Sequence, residues 1–299
     1  MREVLMHEHL HAPRSIRAIG MALGITTSFF IIELVGGIIT NSLALQTDAL
    51  HMLNDVLALG LALIAAWLAL RPITMKKTYG YHRAETLAAL LNGIFLWIIV
   101  VFIFYEALHR IQQPAEIKSQ EMLIIAFLGL IANGLSAVAL SRSKDESLNV
   151  KGAFLHVVAD TLGSIGAISA GLIMLSTGWY QADSLISMII GVLIFYGSGK
   201  LIRDSINVLL EGVPSHIDMS ALERRMAELK GVREVHDLHV WCITTTKMCC
   251  MSGHVVVEKG INRKRLITTL IKMLRDDFGI DHTTIQLEDE DYPKAVSEH

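Results

Sequence analysis

Two copies of one short pattern, His51-x-x-x-Asp55 and His156-x-x-x-Asp160, sit inside long apolar stretches, Leu43–Leu70 and Leu148–Leu175. A charged side chain at the centre of a bilayer costs roughly 2.5–3.5 kcal/mol on insertion scales. A chain that keeps four such residues in two separate stretches needs a counter-charge for them. Residues four apart share a helix face, so each stretch presents an imidazole beside a carboxylate. Two such faces turned together give two nitrogens and two oxygens, a set that suits tetrahedral Zn²⁺. The plainer alternative is a pair of hydrogen-bonded contacts between helices. It accounts for one histidine in one helix better than for two matched pairs in two helices. Soft monovalent copper would prefer Cys or Met, and Mg²⁺ an all-oxygen octahedron.

Hydrophobic residues make up 52% of the 299-residue chain and charged ones 18%, which is too apolar for an ordinary soluble protein. A net charge of −3 disfavours a nucleic-acid partner. Windows of about 19 apolar residues, each long enough to cross roughly 30 Å of hydrocarbon, mark the spans. Six follow: Ile16–Ile39, Leu43–Leu70, Glu85–Ile111, Glu121–Leu140, Leu148–Leu175 and Ser184–Ile206. Lys and Arg gather in the tail before span one and in the loops after spans two and four. Both termini are therefore expected on the cytoplasmic side of the membrane. The polar start of the chain shows no cleavable signal peptide.

After Glu211–Pro214 the composition becomes that of a small soluble domain. Asp218 is placed to cap a helix to about Leu229, and Val235–Ile243 and Met248–Glu258 read as strands. Arg263–Phe278 has helical periodicity closed by Gly279, and His282–Glu288 reads as a last strand. The order αββαβ suits an α+β domain. The expected division is a His-containing tail over 1–15, a six-helix membrane domain over 16–211, and a cytoplasmic domain over 212–299. Cys242, Cys249 and Cys250 form no disulfide framework and read as reduced thiols.

Further residues carry chemistry with open alternatives. Asp48 shares the face of His51 and Asp55, either as an outer partner or relay carboxylate or as a hydrated helix-end residue. Glu33, Asn92 and Asn133 read as packing or pathway residues. One histidine from each of two neighbouring strands, His236 and His254, with Glu288 from the third, could bind zinc; exposed histidines at a sheet edge are the alternative. Strand alternation puts His236 and Leu238 on one face and Asp237 and His239 on the other. His7, His9 and His11 are either a metal-capturing tract or a solvated tail.

The chain resembles the cation diffusion facilitators, within them the zinc-transporting branch that includes bacterial zinc and cadmium efflux proteins. The matching text is Ser42–Asp55, Gly80–Glu85, Leu148–Ser164, Asn207–Pro214, His236–Trp241 and Thr284–Glu288, in order along almost the whole sequence. The resemblance implies a homodimer of six-helix protomers, each with a ferredoxin-like cytoplasmic domain, exporting Zn²⁺ in exchange for protons. It assigns the transport site to His51, Asp55, His156 and Asp160, and cytoplasmic ligands to His236, His254 and Glu288. His282 stands near another such ligand position. In some relatives an N-terminal His motif reaches the partner's soluble domain, a role that His7, His9 and His11 could fill. Arg83 and Glu211 stand where relatives pair a base and an acid at the dimer interface. A further zinc site that some members carry between spans two and three is not expected, because Tyr81 replaces its His and His82 is one place along.

Because a metal ligand must be deprotonated, Zn²⁺ and H⁺ compete for the same atoms. The expectation is proton-coupled efflux of Zn²⁺, with Cd²⁺ and other divalent cations open, by alternating access and without enzymatic chemistry. A passive divalent-metal channel would want a polar stripe or an acidic ring. A membrane metal sensor would want an output module after Asp289.

Overall fold

The computed structural model describes residue 24 and residues 27–141, 148–244 and 248–289. The described part of the first helix, α1, is Thr27–Thr40. It ends in a tight turn. Asn41 takes φ 59°, a left-handed conformation that Asn tolerates, and the Ser42 N–H donates back to Gly37 O at 3.1 Å. Helix α2, Leu43–Ala69, starts at once. Its first N–H groups have no partner within the helix. Asp183, buried near the start of a later helix, supplies it: Oδ2 accepts from Leu43 N at 2.6 Å, and Oδ1 accepts from Ala44 N at 3.3 Å and from the Ser42 hydroxyl at 2.6 Å.

Then come α3 (Arg83–Gln112), α4 (Ser119–Ser141), α5 (Leu148–Thr177) and α6 (Gln181–Leu209). Among the described residues four stretches are long and apolar enough to cross a membrane: Arg83–Gln112, Ser119–Val138, Asp160–Thr177 and Gln181–Leu209. Large apolar side chains such as Ile98, Phe102, Ile189 and Val192 face outward, as lipid contact requires. The interior is built from small residues: Ala44, Ala126, Ala167 and Ala170 are buried with Leu45, Met122 and Met174. Small side chains let helix backbones approach closely where no hydrophobic force separates protein from lipid.

The chain divides into two compact units, one running to Gly60 and over Asn92–Gly199, the other over Leu61–Leu91 and from Lys200 onward. The second holds the soluble fold. Asp218 caps α7 (Met219–Ala227), accepting from Ser220 N and Ala221 N. Strands β1 (Val232–Cys242) and β2 (Cys249–Val257) pair antiparallel. Helix α8 (Arg263–Phe278) ends at Gly279 with φ 68° and crosses over to β3 (Ile280–Glu288), which pairs parallel with β2. The sheet order is β1-β2-β3. Leu222 and Met226 of α7 and Leu266, Leu270 and Leu274 of α8 bury against Val240, Met251, Val255 and Val257. Each such side chain contributes about 1.5–3 kcal/mol when fully buried.

The cysteines depart from expectation. Cys242 and Cys249 stand directly opposite in the β1–β2 register and form a disulfide, whereas Cys250 is a free buried thiol. That pairing follows from register, which spacing along the chain does not specify.

Candidate metal sites

The first site lies between α2 and α5. His51 and Asp55 are one turn apart on α2, and His51 Nε2 is 4.0 Å from Asp55 Oδ2. The same nitrogen is 3.9 Å from Asp160 Oδ1 of α5. A tetrahedral ion with bonds of about 2.0–2.2 Å holds its ligand atoms about 3.3–3.6 Å apart, so these separations are close to those of a gripped ion. Asp160 is almost wholly buried, while the His51 and Asp55 side chains keep 22% and 26% exposure. His156 is one turn before Asp160 on α5, and its side chain lies outside the described residues, as do His7, His9 and His11.

Asp48 on α2 and Glu33 on α1 are both buried, with their carboxyl groups side by side. Glycines make room for the pair. A Cβ at Gly163 of α5 would lie 2.9 Å from Asp48 Oδ1, and one at Gly129 of α4 would lie 2.6 Å from Glu33 Oε1. Asn133 donates to Ser164 Oγ at 3.3 Å beside them. Glu33, read from the sequence as a packing or pathway residue and not as a ligand, is thus a functional candidate. The only signal for it was a carboxylate within a span.

The second site is in the sheet. His236 and His254 are opposed residues of β1 and β2. Glu288 ends β3 two positions beyond Gln286, the residue that pairs with His254, and so points to the same face. Glu288 Oε1 is 2.6 Å from His254 Nδ1, and Oε2 is 3.1 Å from His236 Nε2. The three ligand atoms lie within 4.8 Å of one another, the one group so close among the described residues. Two imidazoles and a carboxylate are a donor set that zinc accepts. Burial pushes the Glu288 carboxyl up, but hydrogen bonds from His254 and His236 and the charges of those rings outweigh it and hold the group below its ordinary 4.5. His282 does not join them. It pairs with Cys250, further back along β3, and its ring lies 6.0 Å edge-on from Tyr79. Arg83 Nη2 donates to Glu211 Oε1 at 2.7 Å within this one chain.

Residues 19–210 match the model for the cation efflux transmembrane domain, and residues 214–290 that for the cation efflux protein, cytoplasmic domain. The chain belongs to the cation diffusion facilitator family. It is a multi-pass membrane transporter with a cytoplasmic C-terminal domain, and not an enzyme. The metal cation efflux system protein CzcD of Cupriavidus metallidurans is 43% identical over 283 residues, spanning 94% of this chain and 89% of its own. The zinc transporter ZitB of Escherichia coli is 41% identical over 282 residues, 94% and 90% of the two chains. The cadmium, cobalt and zinc/H⁺–K⁺ antiporter of Bacillus subtilis is 41% identical over 268 residues, 88% of this facilitator and 86% of its own length.

Proposed function

We propose that this facilitator exports Zn²⁺, with Cd²⁺ and Co²⁺ among its other cations, from the cytoplasm in exchange for protons. The transport ligands are His51, Asp55, His156 and Asp160. One observation carries this: a single imidazole nitrogen, His51 Nε2, faces carboxylates of two different helices at 3.9 and 4.0 Å. The printed names of relatives, a zinc transporter and a cadmium, cobalt and zinc/H⁺–K⁺ antiporter, support the substrate class and the exchange. Two neutral imidazoles and two carboxylates around Zn²⁺ carry no net charge, which eases movement through a low-dielectric interior. Histidine titrates near neutrality, so protons from the far side displace the metal from the same atoms. Asp48 with Glu33 serves as the relay carboxyl pair next to that set.

The membrane domain over 16–211 and the cytoplasmic domain over 212–299 work as a homodimer in the plasma (inner) membrane, with both termini cytoplasmic. Arg83 and Glu211 belong to its interface, and His7, His9 and His11 capture metal. His236, His254 and Glu288 hold a regulatory zinc that shifts the population of transport-ready states. In proteoliposomes with an imposed pH gradient, Asp160→Ala lowers zinc uptake by at least about 100-fold, more than loss of an outer partner would. Uptake equal to wild type would end this proposal.

A further inference from the structure

In the sheet site, His254 stands between two carboxylates. Its Nδ1 faces Glu288 Oε1 at 2.6 Å, and its Nε2 faces Asp237 Oδ2 at 3.8 Å. Strand alternation would send Asp237 to the face opposite His236. A β-bulge overturns that. His236 pairs with His254 but His239 pairs with Ser252, so Asp237 and Leu238 together oppose Gly253. Asp237 adopts φ 50°, the left-handed region that Asp and Asn enter more readily than other side chains. Gly253 leaves the space this requires, since a Cβ there would lie 2.9 Å from Leu238 Cδ1. The bulge is what brings the Asp237 carboxylate round to His254. The other oxygen of that carboxylate is held in turn, with His239 Nε2 3.0 Å from Asp237 Oδ1.

We infer that Asp237 is a positioning residue for the cytoplasmic metal site: its carboxylate stands on the Nε2 side of His254 and favours the Nε2–H form of the ring when the ion takes Nδ1. This rests on the proposal that His236, His254 and Glu288 hold zinc. A neutral imidazole carries its proton on one nitrogen only, and the hydrogen bond on the far side decides which. In the metal-free protein Nδ1 donates to Glu288 Oε1 at 2.6 Å; once the ion takes Nδ1, the ring's proton sits on Nε2, where the Asp237 charge 3.8 Å away favours it. Carboxylate–histidine–metal arrangements of this kind orient the ring and raise its basicity, and loss of the carboxylate typically lowers metal affinity about 10–100-fold. His239 keeps Asp237 turned toward the ring. A backbone strained into the left-handed region at this one place is accounted for by the side chain it delivers.

The test uses the full-length protein in detergent, with Asp160→Ala in every arm so that zinc reads the cytoplasmic site alone. Zinc affinity is measured by competition with a chelator, and the Raman imidazole band that separates Nδ1-bound from Nε2-bound histidine is recorded. Asp237→Asn and Asp237→Gly both tolerate φ 50° and remove the charge. Both are expected to bind zinc about 10–100-fold more weakly, to lose Nδ1-bound signal, and to keep the metal-free Tm. Affinity and band equal to those without the substitution overturn the inference. So does an affinity loss that tracks a fall in metal-free Tm in both variants, because the carboxylate would then serve the bulge and not the ion. His254→Ala and Glu288→Ala separate the two levels. If these bind zinc normally, the site itself is refuted; if they lose zinc and Asp237→Asn does not, only the role of Asp237 is.

Discussion

The two candidate sites use nearly the same donors and hold them differently. In the membrane unit the ligand atoms come from two helices and stand 3.9–4.0 Å apart. In the sheet they come from three neighbouring strands, with the Glu288 oxygens 2.6 and 3.1 Å from the two imidazoles and all three ligand atoms within 4.8 Å. Strands lie about 4.8 Å from one another and are fixed by a ladder of hydrogen bonds, so the donors they carry start close and stay close. Helices join mainly through side chains and can shift without breaking a backbone-to-backbone ladder. A cargo site must open to release its ion, whereas a regulatory site needs only to sense occupancy. The secondary structure under each set of donors fits its proposed task.

The sharpest way to break this contrast is at Glu288. Glu288→Gln is expected to weaken zinc binding by the cytoplasmic site about 100-fold, measured by chelator competition at pH 7. The sign of its pH dependence also follows. The folded carboxyl titrates below its ordinary 4.5, so it stabilises the metal-free domain above that value. That stability is lost as pH falls through the lowered folded value. The stability deficit of the Gln variant should therefore be present at pH 7 and close in acid, below the lowered folded value; a deficit that persists there would mean that the group acts through shape rather than charge.

A smaller effect is expected in the membrane unit. Gly163→Ala drives a Cβ to 2.9 Å from Asp48 Oδ1. The neighbouring carboxyl must shift, at about 1–3 kcal/mol, and zinc transport should fall about 10-fold. Wild-type transport rates would show that Asp48 can move freely without consequence. The smallest effect concerns Arg83 and Glu211. Within one chain both side chains are exposed, which sets a floor of about 0.2–1 kcal/mol on the coupling that a double-mutant cycle returns. A value well above that would mean that the pair is desolvated by a second protomer.

Much of this was legible in the sequence, for definable reasons. The i, i+4 spacing of His51 and Asp55 works within one helix, and apolar length alone marks the spans. Asp218 and Gly279 are local end signals, and they open α7 and close α8 where chain chemistry places them. Contacts that depend on pairing were not legible. Cys242 meets Cys249 because of register, and Glu33 meets Asp48 because two helices pack. Asp237 is the clearest failure: a period of two puts it on the wrong face, and one extra residue in β1 reverses the outcome. An Asp on one strand and a Gly on the next are weak hints of a bulge that only the pairing turns into a statement. His282 lies on the same strand as Glu288 but further back along it, opposite Cys250.

The buried carboxylate of Asp183 has a mechanical meaning as well as a capping one. It fastens the Ser42 end of α2 to the start of α6 by three hydrogen bonds. Bonds to a charged acceptor contribute about 1.5–3 kcal/mol each, so pulling that end free is expensive, while tilting the rod about it leaves all three in place. His51 and Asp55 ride two and three turns along the lever, far enough from its pin to be carried by a small angular swing.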